Sequence, residues 1–356
     1  MKNPVSKLFA LVAVMVMLAA CNSQKENVVK IGLVSPMTGA GAAVADYWIN
    51  GFNLAINELN AKSTDVKYEI IFEDCQSDPA TAVSCYKRLE MQGVKYIIGF
   101  GGQFAMAIAP MTKGKDILYF TVMDYNEKVL DVTDCAFRVY PSAKALGDIA
   151  SSYLVDSCGL KNFATITLNT VPCLQATQVF SENIAKIDGA SITFQDNYDI
   201  GTFDFKNTVN KMSEKECDGV FINGFGISPA SFANQMSYVK KFDNVTMFGD
   251  VNLATVSFSS NNKNEKITIY YADADIKDGF VHTYKEKYNN PANSYASCSY
   301  MLPYLIDAAR SGVQDVSDIA SQREFLRGNT IETLASDITF DERGNGEMKM
   351  SVHKLQ

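Results

Sequence analysis

The chain has 356 residues, 47% of them hydrophobic and 20% charged, with a formal net charge of -8. That length is enough for two domains. An acidic chain with no basic patch and no RNA-binding signature is excluded as a nucleic-acid binder, because phosphate contacts need clustered Lys and Arg.

Lys2 and Lys7 precede an apolar run over 8–20 that ends in Leu18-Ala19-Ala20-Cys21. The run is too short to cross a bilayer comfortably and has the charged start and small-residue end of a secretory signal peptide. Cys21 stands where bacterial lipoprotein signals place the thiol that is acylated before cleavage; the other reading is an ordinary signal with a chance cysteine. The expected division is a lipoprotein signal peptide over 1–20 and a polar tether over 21–27, with folding starting near Val28. No second stretch of about eighteen apolar residues follows. The expected location is therefore the cell envelope, extracytoplasmic, with the membrane met through the lipid anchor alone. Whether that is the periplasmic side or the outer face stays open.

From Val28 onward, apolar strand-like runs alternate with amphipathic segments, the pattern of parallel sheets built from βαβ units. A strand over 29–34 leads through Ser35-Pro36-Met37-Thr38-Gly39 into a helix over 44–60, with Ile49, Phe52, Ile56 and Leu59 on one face at a 3.6-residue period. A strand over 67–72 follows. Asp78-Pro79 then supplies an N-cap and first-turn proline for a helix to Met91. Strands over 96–99 and 117–121 flank a helix beginning near Gln103. A strand over 136–140 reaches Pro141-Ser142, where the alternation restarts. Helices over 143–156, 174–187, 203–214 and 229–241 alternate with strands over 163–168, 191–198, 219–222 and 245–248. An extended run over 267–271, two helices within 278–311 and a hairpin around 341–346 complete the chain. The expected lobes are 28–141 plus 272–330 and 142–271 plus 331–356, because no Pro/Gly/Ser linker separates the halves and the chain must cross between them repeatedly.

Eight cysteines less Cys21 leave an odd number in a compartment that permits disulfides. Cys75 and Cys85 are the favoured pair, since one ends a strand and the other lies in the second turn of the next helix; two buried free thiols are the alternative. Neither CxxC nor a Cys/His cluster occurs, so no metal site is expected.

Several segments together carry a resemblance: VKIGLVSPMTG, NGFNLAINELN, EDCQSDPATAVSCYKRL, VKYIIGFGG, FRVYPS, TMFGD and the closing ITFDERGNGEMKMSVHKL. In this order and spacing the chain resembles the solute-binding proteins of branched-chain amino-acid and amide ABC importers, from Val28 to the C-terminus. The resemblance implies the type I periplasmic binding fold, α/β with two Rossmann-like lobes on parallel central sheets joined by several crossover strands. It also implies a small-molecule ligand, an ABC permease complex as partner, a monomer, no cofactor and no catalysis.

Physical chemistry places the ligand at the carboxyl ends of the strands, where loops and helix N-termini present unpaired N–H groups. The loops over 35–38, 101–104 and 123–125 in one lobe would face those over 169–173, 223–225 and 250–252 in the other. The candidate contacts are Trp48, Gly102, Gln103, Phe104, Met123, Asp124, Tyr125, Asn169, Cys173, Phe225 and Asp250. Each has a bland reading: Asp124 caps the next helix, Trp48, Phe104 and Phe225 are core, and Asp250 bonds a neighbouring loop. Amino-acid-binding members of the family hold the ligand's α-carboxylate with a Ser and an Ala-Thr pair. Here Gln103-Phe104 stands near the first position and Asp124-Tyr125 near the second. Cys173 stands where the family has an aromatic, and Asp250 lies beside the acidic position that holds the ligand's ammonium. An aspartate near a carboxylate site repels carboxylate, so the expected ligand is cationic or rich in donors, in an aromatic-lined pocket.

Enzyme readings fare worse. Gly99-Phe100-Gly101-Gly102-Gln103-Phe104 lacks the third glycine of a dinucleotide fingerprint and does not follow the domain's first strand. Gly226-Ile227-Ser228-Pro229 fails the nucleophile-elbow pattern, and His282 and His353 are the only histidines available as a base. A ligand-sensing accessory receptor of the same fold, with no transport role, is the alternative that the sequence leaves in place.

Overall fold

The alternating pattern becomes two six-stranded sheets in a computed structural model that describes residues 27–39, 44–63 and 65–355. The expected signal peptide, Cys21 and nearly all of the tether lie outside the described residues. The first sheet is formed by β1 (Asn27–Ser35), β2 (Val66–Asp74), β3 (Tyr96–Phe100), β4 (Leu118–Val122) and β5 (Ala136–Val139), completed by β13 (Asn345–Gly346), in the order β13-β5-β4-β3-β1-β2. The second has β6 (Asn162–Leu168), β7 (Ser191–Tyr198), β8 (Gly219–Asn223), β9 (Thr246–Asp250), β10 (Thr268–Ala274) and β14 (Met350–Lys354), in the order β14-β10-β9-β8-β6-β7. Pairing is parallel throughout except between β10 and β14. β3, β4, β5 and β8 are buried at every position, which is why they read as short continuous apolar runs instead of alternating ones.

Helices connect the strands. In the first lobe these are α1 (Ala45–Lys62), α2 (Pro79–Met91) and α3 (Gly102–Thr112); in the second, α4 (Ala143–Ser152), α5 (Val171–Ile184), α6 (Lys206–Ser213) and α7 (Ser228–Met236). The start of α2 is fixed as its sequence implies: Asp78 accepts from the Thr81 backbone N–H at 2.7 Å, and Pro79 opens the helix. In α1 the buried face is Trp48, Gly51, Phe52, Ala55 and Leu59, with Ile49 and Ile56 at its flank. That face meets α9 (Ser294–Ser311), which follows α8 (Asp278–Tyr288) and precedes α10 (Ile319–Gly328). A methyl group on Gly51 would stand 2.3 Å from the Ala296 carbonyl oxygen, so the two helices approach closely only because this residue is glycine.

Three features differ from the sequence expectation. The C-terminal segment is no simple hairpin: β12 (Asp337–Thr339) pairs with β11 (Thr330–Glu332), β13 joins β5 and β14 joins β10. The turn at 341–345 exists, held by Asp341 accepting from the Arg343 and Asn345 N–H groups, but the strands after it go to different sheets. As a result the segment 331–356 serves both sheets, and the residue pair 271/272 falls inside β10. Helix α5 begins at Val171 with Pro172 in its first turn, three residues before the expected start. Finally, Cys75 and Cys85 form no bridge. Both are buried free thiols, with Cys85 Sγ directed to the Asp74 carbonyl at 3.4 Å and Arg88 beside it at 3.2 Å. Burial pushes the Cys75 thiol up to about 12, which leaves it unreactive at neutral pH.

Arg138 is the main tie where the chain crosses between the sheets. It lies in β5 fully buried, and each of its three nitrogens donates: Nε to Asn345 Oδ1 at 2.8 Å, Nη1 to the carbonyls of Asp124 and Pro141 at 2.9 and 3.0 Å, Nη2 to Glu347 Oε2 at 3.1 Å. Glu347 also accepts from Ser142 N–H and Oγ at 3.2 and 2.9 Å. Two crossover segments, 139–142 and 345–350, are thereby bound to each other and to the loop that carries Asp124.

Candidate ligand site between the two sheets

Asp250 ends β9, and its carboxylate is almost completely buried. It accepts from the Asn252 N–H at 3.1 Å and from Asn252 Nδ2 at 2.9 and 3.1 Å, which fixes the loop after the strand. A further donor comes from the first lobe: Tyr125 Oη, in the loop after β4, lies 3.1 Å from Asp250 Oδ2. Burial raises the Asp250 carboxyl above its ordinary range, with the Asn252 and Tyr125 hydrogen bonds pulling the other way.

Aromatic rings surround this acid. Tyr125 meets Tyr140 edge-on at 4.9 Å. Tyr295, in the first turn of α9, donates to Asn252 Oδ1 at 2.7 Å and lies 6.4 Å from Tyr47 and 6.5 Å from Trp48. Trp48 in turn packs on Phe100 at 4.1 Å. Rings with negative faces around a carboxylate favour a cation.

Two more acids are buried nearby. Asp273 in β10 accepts from the Ala274 and Ser294 N–H groups at 2.9 and 3.1 Å, and burial pushes it up to about 7, the charge of Asp250 adding to the effect. Asp124 accepts from Asn126 N–H at 2.8 Å, while its Oδ2 has no hydrogen-bond partner. Burial pushes Asp124 up to about 6 against the pull of that N–H and of Arg138. It closes a local turn beside Gly102, where a methyl group would stand 2.5 Å from Asp124 Oδ1.

Of the residues singled out in the sequence, Trp48, Tyr125 and Asp250 join one connected cluster. Cys173 is buried near Asp250, and burial pushes its thiol up to about 12. Met123 adopts a positive φ of 58° just before Asp124. Phe225 is partly buried and packs on the apolar core of the second lobe. Phe104 belongs to the separate core between α2, α3 and β4. Gln103 is exposed. So is Asn169, whose Nδ2 bonds Asp199 at 2.6 Å. Asn252 lies in the loop 250–252 read as facing the ligand; the residues that sequence reasoning missed are Tyr47, Tyr198, Asp273 and Tyr295. Asn293 caps α9 by accepting from Ala296 N–H at 3.2 Å, so Asn293-Ser294-Tyr295 carried a readable N-cap signal, but nothing local assigns that helix start to the other lobe's loop.

A separate cavity of about 620 Å³ lies between α5 and β7, lined by Thr165, Gln178, Glu182, Gln195, Asp196 and Asn197 among others. It is open and lacks both aromatic rings and a buried charge cluster, so the acid-and-ring cluster between the sheets is the better candidate.

The profile of the periplasmic binding protein family matches residues 28–356. The Leu/Ile/Val-binding protein of Escherichia coli (strain K12) is 23% identical over 94% of this chain and 93% of its own. A leucine-, isoleucine-, valine-, threonine- and alanine-binding protein of Pseudomonas aeruginosa is 22% identical over 96% and 92%. Among solved structures, the branched-chain amino acid transporter substrate-binding protein of Streptococcus pneumoniae, in complex with isoleucine, aligns with a TM-score of 0.82 at 19% identity, covering 93% of this chain and 97% of its own. A solute-binding protein of an ABC transporter from Rhodopseudomonas palustris BisB5, in complex with 3,4-dihydroxybenzoic acid, also aligns at 0.82 and 19%, covering 93% and 94%. The chain therefore belongs to the periplasmic binding protein family, as a non-enzymatic type I member of the branched-chain amino-acid ABC importer group.

Proposed function

We propose that this protein is a lipid-anchored binding protein that captures a small amine or similarly donor-rich solute between its lobes and delivers it to an ABC permease. The observation that carries the ligand class is Asp250: a buried acid ringed by Tyr125, Tyr140 and Tyr295, with buried Asp273 close enough to feel its charge. Among the described residues Arg138 is the buried guanidinium, and its hydrogen bonds go to the crossover segments and not to Asp250. A cation neutralises such a site, whereas a carboxylate adds to its repulsion. The relatives are named for aliphatic amino acids. The departure at Asp124-Tyr125 is the reason for proposing a different preference here.

The lobes proposed are 28–141 plus 272–330 and 142–271 plus 331–356, with the last segment contributing to both sheets. Ligand engages one lobe, the other closes over it by bending at 139–142, 274–278 and 346–350, and the closed form is what the permease reads. Cys21 would tether the monomer to the membrane. A thermal-shift screen of amines, amino amides, polyamines and amino acids tests the ligand class, since a ligand of the folded state at about 100 times its Kd adds about 2.7 kcal/mol. Stabilisation by amines supports the reading. Micromolar binding of leucine, isoleucine or valine with no response to amines would overturn it.

A further inference from the structure

The polar atoms around the site that lack partners describe the end of the ligand that Asp250 does not hold. Trp48 Nε1 and the hydroxyls of Tyr47 and Tyr198 are buried and make no hydrogen bond. Each of these side chains is at least nine-tenths buried. Trp48 and Tyr47 both stand against Tyr295, whose hydroxyl bonds Asn252, which in turn bonds Asp250. Tyr198 ends β7, close enough to Cys173 and Asp250 for their charges to act on it. An indole N–H is a donor only, and a buried donor without an acceptor costs free energy, so Trp48 calls for an acceptor, to which a tyrosine hydroxyl can add a second donor. Trp48 and Tyr47 are neutral, and they stand around Tyr295, on which the charges of Asp250 and Asp273 act. A carboxylate placed there would add to the negative charge of those two buried aspartates.

We propose that the ligand carries an uncharged hydrogen-bond acceptor opposite its amine, that Trp48 and Tyr47 donate to it, and that the protein thereby separates amino amides from the corresponding amino acids. This rests on the amine reading above and adds the chemistry of the second pole. Trp48 is then a specificity-determining residue in two ways: its ring packs on Phe100 and its N–H selects the acceptor.

Matched triplets test it by calorimetry: leucine, phenylalanine and lysine, each beside its carboxamide and its decarboxylated amine. Trp48 is the only tryptophan in the chain, so its fluorescence reports binding independently. The amide of at least one triplet should bind more than about ten-fold tighter than the amino acid. Trp48→Phe should weaken that amide several-fold more than it weakens the plain amine. Tyr47→Phe, which removes only a hydroxyl, provides the same comparison should the tryptophan variant fail to fold. An amino acid that binds as tightly as its amide overturns the inference, and so does a Trp48→Phe effect equal on amide and plain amine. Failure of every amide and every plain amine to bind would instead overturn the amine reading beneath it.

Discussion

Tyr125 and Asp250 join the two sheets directly: a hydroxyl in the loop after β4 donates at 3.1 Å to a carboxylate that ends β9, and both side chains are buried. The hinge opening proposed above would have to break this bond. Tyr125→Phe leaves Asp250 with its Asn252 donors but removes the tie between lobes. The expected result is a loss of about 1–2 kcal/mol in urea unfolding together with a larger radius of gyration by small-angle scattering. An unchanged radius would mean that other contacts set the closed form.

Arg138 should be far more costly to remove. Its guanidinium satisfies two carbonyls, Asn345 and Glu347 at once, in a fully buried position. Arg138→Met strands those acceptors, and the expected loss is about 3–5 kcal/mol. Glu347→Gln keeps a side-chain acceptor at a half-exposed position and should cost about 1 kcal/mol or less. Equal costs for the two variants in chemical denaturation would show that the ion pair, and not the carbonyl contacts, holds the crossover segments.

Much of this architecture was legible in sequence because its causes are local. Periodicity placed α1, Asp78-Pro79 placed the start of α2, and buried apolar runs marked β3 and β4. The candidate site was legible at Tyr125 and Asp250, where a strand end and its loop carry the chemistry, and at Trp48, an aromatic on a periodic helix face. Tyr295 and Asp273 were not, because Tyr295 reaches the loop after β9 from a helix that packs on α1, and Asp273 looks like an ordinary strand residue until Ser294 is seen to cap it. The closing hairpin was misjudged for the same reason: its turn is local, but buried Arg138, distant in sequence, draws Asn345 and Glu347 to the crossover.

The contact of α1 with α9 predicts a severe response to one methyl group. Gly51→Ala places a Cβ 2.3 Å from the backbone oxygen of Ala296, where no flexible side chain can yield. The helices must separate, at an expected cost of about 1–3 kcal/mol. Thermal unfolding measures it, and because Trp48 is on the same helix, its fluorescence should shift as well.

Asp273 makes stability depend on pH in an unusual direction. Its carboxyl is pushed up to about 7 in the folded protein, well above the ordinary value of 3.8, so the folded state holds the proton more tightly than the unfolded chain does. Its stabilising share is fully present below the unfolded value and is lost as pH rises through about 7. Between about pH 4 and 7 the protein should therefore lose stability as pH rises, and Asp273→Asn should flatten that slope. Melting curves of both proteins across that range decide the matter; parallel slopes would locate the proton elsewhere.

The same proton chemistry bears on capture at Asp250. An amine pairs with the ionised acid, while burial favours the protonated one, so ligand and proton compete. Asp273, Tyr125, Tyr140, Tyr198, Tyr295 and Cys173 all face this acid or feel its charge, and none is cationic. Affinity for an amine should rise with pH through the range where Asp250 ionises, with binding releasing up to about one proton. Calorimetry in buffers of different ionisation enthalpy counts that proton. Asp250→Asn removes both the competition and the charge: affinity should fall by about 2–5 kcal/mol and lose its pH dependence. The fold should survive, because an amide can still accept from Asn252 and no longer carries a buried negative charge. A variant that binds amines as tightly as the parent would move the cation to Asp273 or Asp124.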